Sequence, residues 1–148
     1  MRTIDSLHRS GVGIGPERTI RDAAALMEEA GIGALAVVDG DRLIGLVTDR
    51  DLVRRVLARD LAPDARIDSV MTTPVVTIAA SADLDEAFAL FGTHGLRRLP
   101  VERDGHFVGM ISIDDLLVCV SRQLTDLARP VTAEILFAQR DAPVPARA

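Results

Sequence analysis

The sequence repeats itself at an interval of 64 residues, and this repeat limits the possible folds more than any other feature. The stretch GLVTDRDL at 45–52 aligns without a gap on GMISIDDL at 109–116. The tripeptide IDS occurs at 4–6 and again at 67–69, an offset of 63, which implies a one-residue change in length near the first strand. The sequence therefore predicts two copies of one structural unit.

Each copy shows the same order of patterns, namely strand, helix, strand, strand and helix. In the first copy, ERTIRDAAALMEEAG has helical apolar spacing, with Thr19 and Asp22 in capping-box positions and Gly31 at the expected helix end. The apolar runs ALAVV and RLIGLV, joined by an Asp-Gly turn, predict a hairpin of buried strands. In the second copy we predict strands at Val75–Ile78, Leu99–Glu102 and Phe107–Ile111, and helices at Leu84–Gly92 and Asp114–Gln123.

These patterns predict a mixed α/β (α+β) fold of two pseudo-symmetric β-α-β-β-α repeats. Each copy is small and has an apolar sheet face, so we expect the two to pack through their sheets into one domain. We place the first repeat with its lead-in at 1–62, the second at 63–123 and a C-terminal extension at 124–148. In the extension, Pro130 is expected to interrupt any helix, and the apolar EILFA is expected to pack on the module or across a dimer interface. The final DAPVPARA is expected to be disordered.

Composition excludes several classes of function. The net charge of −5 argues against a general nucleic-acid-binding surface, which needs a basic face. The single cysteine, Cys119, excludes an internal disulfide framework and suits a reducing compartment. No uninterrupted apolar segment approaches the roughly 20 residues of a membrane span. We therefore expect a cytoplasmic protein with neither nucleic-acid nor membrane partners.

Four strings carry a family resemblance: GLVTDRDL and GMISIDDL close the copies, HGLRRLPV opens the second copy's central strand, and VMTTPVVTI begins that copy. In this order they make the chain, from about Ile4 to about Arg122, resemble a tandem pair of cystathionine-beta-synthase (CBS) domains, also called a Bateman module. The resemblance implies a stand-alone regulatory module that is not an enzyme. It implies an adenosine-containing ligand in a cleft between the repeats, with AMP, ADP or ATP first and NAD or S-adenosylmethionine next. It also implies a homodimer that requires no cofactor and acts on an unknown downstream protein.

Two residue pairs are candidates for binding ribose. Ribose presents two adjacent hydroxyls, and a carboxylate can accept a hydrogen bond from each. Thr48 with Asp51, and Ser112 with Asp115, supply a hydroxyl and a carboxylate at this spacing. The same spacing is also typical of a helix-capping box. Because that box prefers Glu or Gln at its last position, Asp is expected to reach back less easily, and the two roles can coexist.

The predicted phosphate ligands are Arg97 and Arg98. They precede Leu-Pro-Val at the position where the resemblance implies a basic residue facing the ligand phosphate, and an arginine can grip phosphate in bidentate fashion. The alternative is two solvated arginines at a strand edge. The first copy has Gly33 and Ala34 at the aligned positions. We therefore expect unequal sites, with the half that contains Asp115 as the better nucleotide site.

The adenine ring is expected to lie between apolar side chains and backbone groups. Val76, Ile78 and Ile111 are the candidates, and the alternative for each is an ordinary core residue.

Other chemistry is weakly supported. The glycines of GVGIG are followed by a proline and do not open directly onto a helix, as a dinucleotide fingerprint requires. The three histidines lack zinc-ligand spacing, and no metal site is predicted. Two alternatives remain: a ligand-free dimerisation or docking module, and a magnesium-dependent nucleotide-processing enzyme that uses the acids Asp49, Asp51, Asp114 and Asp115.

Overall fold

A computed structural model describes residues 2–140 and their side chains through residue 136. The final DAPVPARA, predicted to be disordered, lies outside the described residues. Residues 2–113 form one compact unit, and the helix from Asp114 onward is described by itself. The strands are β1 Gly13–Ile14, β2 Ala34–Asp39, β3 Arg42–Thr48, β4 Ile78–Ala79, β5 Arg98–Arg103 and β6 His106–Ser112. The helices are α1 Ile20–Ala30, α2 Asp49–Asp51, α3 Leu84–His94 and α4 Ile113–Arg140, with a π segment Leu52–Val56 and a 3-10 turn Leu57–Arg59 continuing α2.

The predicted repeat is confirmed in the sheet topology. The strand orders are β1-β2-β3 and β4-β5-β6, each with a parallel first pair and an antiparallel hairpin. The hairpin registers are equivalent, because Ala36 pairs with Leu46 and Pro100 pairs with Met110. Both hairpins also contain an irregularity one residue after this pair, following Val37 and Val101. The predicted α/β class and the two pseudo-symmetric repeats are therefore correct. The bounds predicted for the first strand of the second copy, Val75–Ile78, are wrong, because β4 covers Ile78–Ala79.

The core is aliphatic, and equivalent positions of the two repeats contribute to it. The central strands contribute Leu35 and Val37 in one sheet and Leu99 and Val101 in the other, and all four are fully buried. Burying an aliphatic side chain of this size stabilises a fold by about 1.5–3 kcal/mol. β3 and β6 also contact one another, so the sheets pack together within residues 2–113.

Each repeat begins with a segment before its first strand, which we call its lead-in: residues 2–12 in the first repeat and residues 63–77 in the second. Each lead-in pairs with a strand of the other repeat. Arg9 pairs with Met110 of β6 through two backbone hydrogen bonds of 2.9 Å. Thr72, from the second lead-in, pairs with Leu46 of β3 through hydrogen bonds of 2.7 and 3.0 Å. Each lead-in therefore covers the last strand of the other repeat. The predicted boundaries at 62/63 and 123/124 describe the sequence repeat and remain a prediction.

The predicted start and end of α1 are confirmed. The Thr19 side chain accepts from the Asp22 backbone N–H at 3.1 Å, and the Asp22 carboxylate accepts from the Thr19 N–H at 3.2 Å. Gly31 ends the helix with a φ of 63°, which glycine adopts without steric cost.

The prediction that Pro130 interrupts the C-terminal helix is wrong. α4 continues through Pro130 to Arg140, because the fixed φ of proline is itself helical and the flanking residues favour helix. Of the segment EILFA, Ile135 and Leu136 are exposed in the single chain, and packing across a dimer interface remains a prediction. No helix among the described residues is both long and apolar enough to span a membrane.

Candidate functional site

The first-repeat pair, Thr48 and Asp51, forms a complete capping box where β3 ends and α2 begins. The Asp51 Oδ2 atom accepts from the Thr48 backbone N–H at 2.9 Å and from the Thr48 hydroxyl at 3.1 Å. The Thr48 Oγ1 atom in turn accepts from the Asp51 N–H at 3.2 Å. The capping alternative is thus correct for this pair, and the expectation that Asp reaches back less easily is wrong here.

Arg55 is a further member of this network that sequence reasoning missed. Its Nε atom lies 3.7 Å from the Asp51 Oδ1 atom, so the two side chains form an ion pair. Its Nη1 atom donates to the carbonyl oxygens of Val70 at 2.9 Å and Met71 at 3.2 Å. The i, i+4 spacing of an acid and an arginine was the available signal for the ion pair. Nothing local predicts the carbonyl contacts, which span 15 and 16 residues.

The helix changes geometry at Arg55. Residues Leu52–Val56 form a π segment, in which the Leu57 N–H reaches the carbonyls of Leu52 and Val53. Such single-turn π segments are rare and frequently occur at functional sites. Arg55 lies in this segment, and its side chain reaches both the Asp51 carboxylate and the backbone carbonyls of the second lead-in.

In the second repeat, the sheet places a cation opposite the hydroxyl of the predicted ribose pair. Ser112 is the last residue of β6, and Asp115 lies in the first turn of α4. Arg98 of β5 is the register partner of Ser112, so the two side chains project from the same face of the sheet. The equivalent pair in the first repeat is Ala34 with Thr48, which has no cation. The structure thus brings Arg98 and Ser112 together as cross-strand neighbours.

The two arginines are exposed and lie at the start of β5. Arg97 precedes the strand, and its carbonyl accepts from the Ile113 N–H at 2.9 Å. The Arg98 guanidinium approaches the first repeat, because a Cβ added to Gly33 would lie 3.5 Å from its Nη2 atom and 2.8 Å from the Asp49 Oδ2 atom. Within the described part of the chain, neither guanidinium makes an ion pair. The charge of each guanidinium is therefore not compensated by an ion pair with an acidic side chain within that part of the chain.

The three predicted adenine contacts differ in burial. Ile78 and Ile111 are fully buried, and the core alternative fits both. Val76 is half-buried in the segment that leads into β4, so its side chain has surface that a ligand can reach. Of the three, Val76 is the residue whose surroundings suit a ligand contact.

Acidic residues are numerous at the starts of α2 and α4, yet they do not assemble. Among the described residues, no group of three or more His, Cys, Asp or Glu side chains is arranged to hold a metal ion. The magnesium alternative therefore finds no ready-made cluster in that part of the chain.

Comparison with known proteins gives a consistent answer. The sequence model of the family described as "CBS domain" matches the chain twice, at residues 7–58 and 67–122. YlbB of Bacillus subtilis, described as an uncharacterized protein, is 36% identical over 118 residues, covering 78% of this chain and 78% of YlbB.

Two solved structures share the fold. The CBS domain pair of protein MJ0100, in complex with 5′-methylthioadenosine and S-adenosyl-L-methionine, has a TM-score of 0.74 at 20% identity. That match covers 83% of this chain and 98% of the MJ0100 chain. CBSX2 in complex with AMP has a TM-score of 0.71 at 24% identity, covering 84% of this chain and 99% of CBSX2.

Proposed function

Because the chain belongs to the CBS-domain family, we propose that it is a regulatory module that binds an adenosine-containing ligand without chemical turnover. The observation that carries the proposal is the strand pairing of Arg98 with Ser112, which sets a cation beside a hydroxyl on one face of the second sheet. The two structural neighbours that hold AMP, or 5′-methylthioadenosine with S-adenosyl-L-methionine, support this ligand class. The arginines favour a phosphate-bearing member, so AMP, ADP or ATP comes before NAD and S-adenosylmethionine.

Each part of the nucleotide has a proposed partner. Ser112 and Asp115 bind the ribose diol, since an ionised carboxylate can accept from both hydroxyls. Arg97 and Arg98 bind phosphate, which a guanidinium can grip through two parallel hydrogen bonds. Val76 contacts the adenine ring, and backbone groups supply the remaining hydrogen bonds.

The wider setting is also part of the proposal. The module acts in the cytoplasm as a homodimer, requires no cofactor, and passes the state of its site to a separate protein. The sequence carries a net charge of −5, which disfavours nucleic acid as that partner.

The test is thermal unfolding with AMP, ATP, NAD and S-adenosylmethionine, each at millimolar concentration. A ligand at one hundred times its dissociation constant adds about 2.7 kcal/mol to the free energy of unfolding. For a domain of this size, each kcal/mol moves the midpoint by roughly 2–6 °C. One of the nucleotides should raise the midpoint of the wild type and not that of Asp115→Ala. The matched control is Asp114→Ala, which removes the same charge from the same helix turn and should keep the shift.

Three outcomes would count against the proposal. If none of the four compounds raises the midpoint, the nucleotide assignment is wrong. A shift that survives in Asp115→Ala would move the site elsewhere. Hydrolysis of ATP in the presence of magnesium would instead support the enzyme alternative.

A second candidate function, a dimerisation or docking module, is favoured by helix α4. Every residue from 121 to 136 is exposed, although most helical stability in proteins comes from packing an amphipathic face. Leu124, Leu127, Val131 and Ile135 form one apolar stripe at helical spacing, and Leu127 is 74% exposed. A second copy of the chain is the proposed occupant of this stripe.

Sedimentation equilibrium of the wild type and Leu127→Glu tests this candidate. The wild type should be a dimer and the variant a monomer with unchanged far-UV circular dichroism. Thr125→Glu, on another face of the same helix, is the control and should remain dimeric. A wild-type monomer at high micromolar concentration would contradict the candidate.

A further inference from the structure

Charged side chains from the two repeats approach each other at Gly33, the residue that precedes β2. A Cβ built on Gly33 would lie 2.8 Å from the Asp49 Oδ2 atom of the first repeat and 3.5 Å from the Arg98 Nη2 atom of the second. We propose that Asp49 competes with the ligand phosphate for Arg98 and is therefore a specificity-determining residue for a site in the other repeat. This inference rests on the proposed function, in which Arg98 binds phosphate.

The first step is the space that the glycine leaves. Gly33 is half-buried, and its φ is not in the left-handed region that favours glycine. The backbone conformation therefore does not require a glycine at this position. A side chain would instead meet the Asp49 carboxylate at 2.8 Å, which is too close for a carbon and an oxygen. The carboxylate and the Arg98 guanidinium thus border the same small space.

The second step is the charge of these two exposed groups. The Asp49 Oδ1 atom accepts from the Arg50 backbone N–H at 2.8 Å, whereas Oδ2 is the atom nearest to the Cβ position of Gly33. In the structure of residues 2–136, neither Asp49 nor Arg98 forms an ion pair at 4.0 Å or less. Opposite charges on either side of one small space attract each other. Arg98 must give up this attraction when it turns to a phosphate.

The third step is that this approach of opposite charges joins the repeats in one direction only. The backbone is equivalent in both, because the Asp49 N–H donates to the Gly33 carbonyl at 3.0 Å and the Ile113 N–H donates to the Arg97 carbonyl at 2.9 Å. A shift of 64 nevertheless places Asp49 on Ile113, and Arg98 on an alanine. The acid therefore comes from the first repeat and the cation from the second.

Isothermal titration calorimetry with AMP and with adenosine tests the inference on the full chain at low ionic strength. Asp49→Asn should bind AMP about 1.5- to 5-fold more tightly than the wild type, the range expected for one exposed pair of charges. Its affinity for adenosine should be unchanged, because adenosine has no phosphate. In about 1 M salt the gain for AMP should shrink, because the Debye length falls to about 3 Å.

Three further variants serve as controls. Asp39→Asn removes the same charge from an exposed acid at the opposite end of β2 and should leave AMP affinity unchanged. Asp49→Glu keeps the charge and should not show the gain. In an Arg98→Ala chain, adding Asp49→Asn should not change AMP affinity, because the two residues act on one interaction and their effects are not additive.

The possible failures are distinguishable. If the wild type binds no AMP, the proposed function fails and this inference falls with it. If the wild type binds AMP and Asp49→Asn binds it equally or more weakly, the inference alone is overturned. An equal gain for adenosine, or the same gain in the Arg98→Ala chain, also overturns it. If circular dichroism shows that Asp49→Asn does not fold, Asp49→Ser removes the same charge and must show the gain.

Discussion

The ends of β3 and β6 have equivalent strand registers, but they differ in the side chains around them. Thr48 lies opposite Ala34, whereas Ser112 lies opposite Arg98. In the first repeat the capping acid faces Arg55, and in the second repeat the aligned residue is Cys119. Arg55 lies against the acid of the first copy, and Arg98 lies across from the hydroxyl of the second copy. The comparison teaches that the duplicated motif specifies the fold, while the side chains that surround it differ between the copies.

The largest expected effect is the loss of AMP affinity in Asp115→Ala but not in Asp51→Ala. Removing a carboxylate that accepts from the ribose costs about 1.5–3 kcal/mol of binding free energy, or roughly 10- to 150-fold in dissociation constant. Asp51→Ala should leave affinity within twofold and instead lower the free energy of unfolding by about 1 kcal/mol, as loss of a helix cap does. Calorimetric titration and urea unfolding measure the two quantities, and equal affinity losses would break the comparison.

A stability difference is expected between two aligned glycines. A Cβ on Gly109 would meet the Arg9 carbonyl and the His8 ring, whereas the three atoms nearest to a Cβ on Gly45 all belong to the Met71 side chain. A flexible side chain can move, but the Arg9 carbonyl is part of the pairing with Met110. Gly109→Ala should therefore lower the free energy of unfolding by about 1–3 kcal/mol.

Gly45→Ala should have a smaller effect in the same urea titration, because the Met71 side chain can shift. A Gly45→Ala variant that is the less stable of the two would show that the exchanged lead-ins are not held as described.

Removing one arginine should affect phosphate recognition alone. Arg98→Ala is expected to weaken AMP binding by about tenfold, which corresponds to about 1.4 kcal/mol, and to leave adenosine binding unchanged. Arg54→Ala, an exposed arginine without an ion pair among the described residues, is the control. An equal loss for AMP and adenosine would mean that Arg98 supports the fold and does not contact phosphate.

The smallest expected effect is a pH dependence that arises at Asp22 of the first repeat. The hydrogen bond from Arg18, with a further one from the Thr19 backbone, lowers the pKa of Asp22 to about 2. A carboxyl with a lowered folded-state pKa stabilises the fold above its ordinary pKa near 3.8, and this contribution is lost as the pH falls through about 2. The second repeat has Ala82 in place of Arg18.

The Asp22 titration can be followed by NMR of the side-chain carboxyl carbon. Arg18→Gln should move the midpoint upward toward 3.8, the ordinary value. An unchanged midpoint in this variant would show that the arginine does not set the pKa.

Local patterns predicted the parts of the molecule that local physics determines. The capping box at Thr19, the helix end at Gly31 and both hairpins follow from residue type and spacing, and the structure confirms them. The exchange that sets Arg9 on Met110 could not be predicted, since it joins segments about 100 residues apart whose own periodicity is weak. The Arg55 contacts with the second lead-in were missed for the same reason.

In the C-terminal helix, by contrast, a local signal predicted a break that does not occur. Pro130 is a strong local signal, but losing one backbone donor does not outweigh a long run of helix-favouring neighbours. The site residues themselves remain predictions, because their roles depend on a ligand and sequence spacing describes only the protein.

The central claim is that one hydroxyl–carboxylate pair binds nucleotide and the other is structural. The most direct measurement is a titration of ¹⁵N-labelled protein with AMP, followed by the backbone amide shifts of both pairs in one sample. The account predicts that the amide chemical shifts of Ser112 and Asp115 change and saturate as AMP is added. Those of Thr48 and Asp51 should not change. Saturating shifts at Thr48 and Asp51, equal to or larger than those at Ser112 and Asp115, would contradict it.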